Sequence, residues 1–168
     1  MSAQQHSAGD IELPAGVSAI TGEVRAPDGG VAIAVSRFNG KLTSQLLSSA
    51  VAELERAGVS RERVTVLVVP GAFELPTAAA VLARSGRYSC VVALGCVIRG
   101  ETAHFDLVAG EAAAGIRQVS VETGVPVAFG VITAETTEQA IARVENGAAA
   151  ARAALEMVDV FRLHASSS

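Results

Sequence analysis

The sequence predicts a single α/β domain: a four-stranded parallel sheet with helices on both faces. Three observations carry this. Short apolar runs alternate with amphipathic helical stripes, strand then helix, four times along the chain. The runs are apolar throughout instead of alternating, the pattern of a strand buried on both faces. The chain has 168 residues, 50% of them apolar and only 18% charged, enough to build one sizeable core.

The elements follow in order. Residues 1–28 carry Ser, Gly and Pro without clear periodicity and are expected to be a flexible arm, with room for a short strand at Ile11–Leu13. The domain proper is expected over 29–164. VAIAV (31–35) is the first strand run, and Leu46, Leu47, Ala50, Val51 and Leu54 form the stripe of the helix after it, closed by Gly58. VTVLVV (64–69) is the second run, ended by Pro70-Gly71, and an alanine-rich helix runs from there to about Arg84, with Gly86 closing it. CVVALG (90–95) is the third run, followed by a helix with Phe105, Val108, Ala109, Ala112, Ile116 and Val119 on one side. PVAFGVI (126–132) is the fourth. Ile141, Val144, Ala148, Ala151, Leu155 and Val158 then read as one last helix, with a disordered tail at 165–168. Right-handed crossovers give a three-layer α/β/α sandwich in flavodoxin-like strand order.

Composition narrows the chemistry. Net charge is −4 and no basic block occurs, so a charged nucleic-acid surface is not expected. The apolar runs are too short to cross a bilayer, and Met1 to Gly9 has no apolar core of a secretory signal, so no membrane partner and a cytoplasmic location are expected. Of three histidines, His6 and His164 lie near the ends and only His104 is central, which leaves no polyhistidine metal site. Lys41 is the one lysine available for Schiff-base chemistry. Cys90 and Cys96 on one strand share a face but stand roughly 20 Å apart, too far for a disulfide or a shared metal.

In open parallel sheets, ligands bind beyond the carboxyl ends of the strands. Four segments meet there: Ser36 to Gly40, PGAFELP (70–76), RGETAHFD (99–106) and Thr133 to Thr137. RGETA opens a helix. Its free N–H groups and dipole suit a phosphate, with Gly100 allowing close approach; equally, Gly100 makes a turn and Thr102 caps the helix, and pattern alone favours the cap. His104 suits proton transfer, or a hydrogen bond to a neighbour such as Asp106. Phe38 and Phe73 lie outside the stripes, placed either to stack on a planar heterocycle or to anchor their loops in the core. Glu74 can accept from ligand hydroxyls or occupy a first helical turn. By itself Arg143 reads as an ordinary solvated arginine.

Taken together, SRFNGKLTSQLLSSA, VPGAFELP, ALGCVIRGETAHFD, GVPVAFGVIT and TTEQAIAR make the chain from Val31 to Val158 resemble the 6,7-dimethyl-8-ribityllumazine synthases. The resemblance implies condensation of 5-amino-6-(D-ribitylamino)uracil with 3,4-dihydroxy-2-butanone 4-phosphate, releasing phosphate and water without metal or cofactor. It implies that Phe38 stacks on the pyrimidine, that Ala72, Phe73 and Glu74 hold the ribityl chain and ring, and that Cys96, Val97 and Ile98 meet the pyrimidine edge. Gly100, Glu101, Thr102 and Arg143 correspond to the phosphate site, Phe129 to a phenylalanine lent by a neighbouring subunit, and His104 to the catalytic histidine. Arg99 and Asp106 become supports. A homopentamer with sites at subunit interfaces is implied as well.

Two departures stand out. ARVENGAAAARAAL is about four residues shorter than the family pattern, in a linker that bears on whether pentamers close into sixty-subunit capsids. Asn146 falls where a lysine near the phosphate is common. A non-catalytic flavin- or lumazine-binding homologue, or a shell-forming one, is the alternative reading.

Overall fold

The computed structural model describes residues 11–167. Its elements are β1 (Gly30–Ser36), α1 (Gly40–Arg56), β2 (Val64–Val69), α2 (Leu75–Arg84), β3 (Tyr88–Ile98), α3 (His104–Thr123), β4 (Val127–Ala134), α4 (Thr137–Ile141) and α5 (Asn146–Ser166). Single 3₁₀ turns at Arg61–Arg63 and Ala72–Glu74 precede β2 and α2. The four strands are parallel in the order β2-β1-β3-β4, which is the flavodoxin-like order expected.

Strand alternation sorts the core into two layers. Val31, Ile33, Val35, Cys90, Val92, Leu94 and Ile132 pack against Leu46 and Leu54 of α1 and Leu155 of α5. Ala32, Ala34, Val91, Ala93 and Val131 pack against Leu75 and Leu82 of α2 and Ile116 of α3. Burial at this density supplies most of the folding free energy, about 25 cal/mol per Å² of apolar surface. Gly58 and Gly86 follow α1 and α2 with φ of 91° and 70°, values that glycine adopts without strain.

Several expectations are corrected. β2 is not buried on both faces: Val66, Leu67 and Val68 are exposed, Val68 by 61%. β2 is the sheet's edge, and an apolar run does not distinguish an edge strand from a central one. β3 is longer than residues 90–95, so Cys96, Val97 and Ile98 belong to the strand. The single last helix is two: α4 ends at Ile141, a turn covers 142–145, and α5 begins at Asn146. Ile141 and Val144 kept the helical spacing across that break, which periodicity could not reveal. α5 also continues through 165 and 166, where a disordered tail was expected; Ser168 lies outside the described residues.

Residues 11–13 carry no strand in the single chain, and the first ten residues lie outside the described ones. Closer to the domain the arm is tied down. The Glu23 N–H and Arg25 Nε donate to buried Asp159 at 2.9 and 2.8 Å, and Arg162 Nε donates to the same carboxylate at 2.9 Å. Those donors, the Glu23 N–H foremost, hold the Asp159 carboxyl below its usual range.

Candidate active site

A cleft of about 620 Å³ lies beyond the carboxyl ends of β1 and β3, within the size range of small-molecule sites. Phe38 comes from the turn after β1, and Ala72, Phe73 and Glu74 from the 3₁₀ turn before α2. Cys96, Val97 and Ile98 come from the end of β3, and Gly100, Thr102 and His104 from the β3–α3 junction. The cleft lies at the strand ends, where a ligand site was expected, and these sequence-expected residues converge in it.

The open alternatives now divide. Phe38 and Phe73 are 69% and 57% exposed, so neither anchors its loop in the core; both line the cleft. Thr102 Oγ1 accepts from the His104 N–H at 3.4 Å, a long bond, and the α3 N-terminus has no side-chain cap in regular position. The Asp106 N–H turns back to the Ala103 carbonyl at 3.1 Å, so an anion at this helix start would compete with the long Thr102 bond for the His104 N–H. Asp106 is not a partner for His104. Arg99 takes it in two bonds of 3.1 and 3.0 Å, donates to Glu135 at 3.0 Å, and lies over the Phe105 ring at 4.1 Å. That brace ties the ends of β3 and β4 to the first turn of α3, and His104 lines the cleft beside it. Hydrogen bonding from Arg99 pulls the Asp106 carboxyl down, and Asp106 and Glu135 raise the Arg99 guanidinium.

Cys96 is 2% exposed, and burial pushes its thiol up; the same cause takes Cys90 up to about 12. Both thiols are free and stay protonated near neutrality, so neither is poised as a nucleophile.

Three expected site residues lie outside the cleft wall. Glu101 is exposed between Gly100 and Thr102. Phe129 is on β4, the far edge of the sheet, and is 45% exposed. Arg143 sits in the turn between α4 and α5, not within a helix as expected, and donates to the Gln139 carbonyl at 2.7 Å. Asn146, expected where a lysine is common, is the first residue of α5.

Gly71 and Phe105, inside the expected PGAFELP and RGETAHFD segments but not singled out there, also line the cleft, and so do Leu107 and Val108, which sequence reasoning missed. Phe105 and Val108 were assigned to the core stripe of α3, and they do pack against the core while their outer atoms reach the cleft. Leu107 breaks the stripe and is exposed, a signal available in the sequence. Among the described residues no group of three or more His, Cys, Asp or Glu side chains gathers as a metal site, and no helix is long and apolar enough to cross a membrane.

Comparison with known proteins identifies the family. The sequence model of the family described as 6,7-dimethyl-8-ribityllumazine synthase matches residues 29–162. The chain is similar to the 6,7-dimethyl-8-ribityllumazine synthase of Edwardsiella ictaluri (strain 93-146), 54% identical over 149 residues, 85% of this chain and 96% of that protein. It is 49% identical over 152 residues to the enzyme of the same name from Yersinia pestis (strain Pestoides F), covering 87% of this chain and 97% of that one.

Proposed function

The chain belongs to the 6,7-dimethyl-8-ribityllumazine synthase family and is a transferase of riboflavin biosynthesis, and we propose that the cleft beyond β1 and β3 is where it works. The reaction condenses 5-amino-6-(D-ribitylamino)uracil with 3,4-dihydroxy-2-butanone 4-phosphate to 6,7-dimethyl-8-ribityllumazine, releasing phosphate and water. The convergence of Phe38, Ala72–Glu74, Cys96–Ile98 and His104 on one cleft carries the assignment.

The pyrimidine stacks on the exposed Phe38 ring, with its edge against the Cys96–Ile98 backbone. Ala72, Phe73 and Glu74 face the ribityl chain, whose hydroxyls donate to the Glu74 carboxylate. The substrate's own amine attacks the ketone, so no lysine nucleophile is required. Holding the amine and the carbonyl side by side removes much of the entropic barrier. His104 moves protons during imine formation and phosphate loss, a role typically worth about 10²–10⁴ in rate. The phosphate sits at the Gly100–Thr102 N–H groups and the start of α3, where the dipole favours an anion. The Glu101 backbone contributes there while its carboxylate faces solvent.

Phe129 and Arg143 complete the site from a neighbouring copy. Both are exposed and lie outside the chain's own cleft, which supports a homopentamer with sites at subunit interfaces. The exposed apolar residues of β2 and the exposed Leu107 and Val121 of α3 support self-association too. The full chain mixed with both substrates should yield a fluorescent lumazine and free phosphate. Product no faster than the uncatalysed background would sink the assignment. A solution mass five times that of the chain tests the pentamer.

A further inference from the structure

Asn39 is the one residue other than glycine with positive φ among the described residues, at φ 57° and ψ 41°. Most side chains are strained in that left-handed region, and Asn is among the few that tolerate it. The residue directly follows Phe38 and opens α1, where its carbonyl accepts from the Leu42 and Thr43 N–H groups at 2.9 and 3.1 Å. Its side chain makes no cap bond to that helix. Nδ2 instead donates to the Cys96 carbonyl at 3.0 Å, across 57 positions of chain.

A second bond lies beside it: the Phe38 N–H donates to the Pro70 carbonyl at 3.1 Å. The two bonds stitch together three segments that wall the cleft: the Phe38 turn, the loop before Ala72–Glu74, and the end of β3. The backbone bond is open to almost any residue at 38. The other requires an amide donor at 39 on a left-handed backbone.

We propose that Asn39 is a positioning residue for the pyrimidine substrate, fixing the gap between the Phe38 ring and the Cys96–Ile98 strand end. The inference rests on the proposed use of this cleft. The left-handed turn carries the Phe38 ring out of the sheet and over the cleft. The amide then locks that turn to the strand the pyrimidine edge must meet. A planar ring enters a gap already held at the right width, so less ordering is left to be done on binding.

Two variants separate the tether from the backbone. N39G keeps the left-handed conformation and removes the donor. N39D keeps the conformation and a polar side chain of similar size, but sets a carboxylate that can only accept against an accepting carbonyl. Calorimetric titration with 5-amino-6-(D-ribitylamino)uracil alone should show Kd rising about three- to tenfold in both, the worth of one hydrogen bond. In turnover assays the KM for the pyrimidine should rise likewise while the KM for the ketone phosphate stays unchanged. Simple destabilisation would lower the active fraction, and so the apparent kcat, without separating the two substrates. An N39G Kd equal to that of the unsubstituted protein overturns the inference, as does an equal rise in both KM values. If N39D does not fold, N39G decides alone. Failure of the unsubstituted protein to bind the pyrimidine would overturn both this inference and the cleft assignment. Equal binding by N39G and the unsubstituted protein overturns only the former.

Discussion

Replacing Gly115 with alanine should reverse its effect on stability according to what stands at position 76. Gly115 lies inside α3, and a Cβ built there would stand 2.7 Å from both Cβ and Cγ of Pro76. Carbon atoms in contact normally sit about 3.5–4.0 Å apart. Roughly 1 Å must therefore be found, and the proline ring is too rigid to yield it by changing rotamer. Overpacking of this kind costs about 1–3 kcal/mol. Against it stands the gain from exchanging glycine for alanine in a helix interior, up to about 1 kcal/mol. The net expectation for G115A is a loss of about 1 kcal/mol, a fall in Tm of about 2–4 °C at this chain length. In a P76A background the obstruction is removed and the same substitution should gain about 1 kcal/mol. Urea unfolding of the four proteins closes the cycle, with a coupling of about 2 kcal/mol between the sites. The cleft should respond as well. Pro76 follows the segment bearing Phe73 and Glu74, while α3 supplies Phe105 and Val108, so G115A should shift two segments that line the cleft relative to each other. Equal stabilisation by G115A in both backgrounds would refute the reading of Gly115 as the residue that sets the α2–α3 spacing.

Three further outcomes are expected. His104→Ala should lower kcat by about 10²–10⁴ with the Kd for the pyrimidine nearly unchanged, measured by steady-state kinetics and calorimetry; lost binding would make His104 a binding residue instead. Iodoacetamide at pH 8 should leave Cys90 unlabelled until the chain unfolds, because burial holds its thiol at about 12, while Cys96 should label slowly and be protected by the pyrimidine; mass spectrometry of digested protein reads both. The Arg99–Asp106 brace should survive acidification to about pH 4. Because the Asp106 carboxyl is depressed below 3.8 in the folded chain, its contribution is complete above that value and is lost as pH falls through the depressed one. The Tm difference between the unsubstituted protein and D106N should therefore be flat from pH 5 to 8 and shrink only below 4; shrinkage near neutrality would count against the brace.

What the sequence determined by itself was the order of strands, the two-sided sheet and the end of it where the cleft lies. Those follow from local periodicity and from the rule that parallel strands direct their carboxyl ends to one edge. The motifs around Phe38, Phe73 and His104 were legible for the same reason: each is contiguous in the chain. Tertiary structure decided what depends on neighbours distant in sequence. It made β2 an exposed edge although VTVLVV reads as a buried run, and it broke the last helix at 142–145 where the apolar spacing runs on unbroken. It turned Asp106 to Arg99 and away from His104, and it brought Asn39 to the Cys96 carbonyl. Phe129 and Arg143 are exposed and lie outside the chain's own cleft, a placement that their contiguous motifs did not indicate. Periodicity reports which face of an element is apolar; only the folded chain settles what that face, or a polar group at its end, will touch.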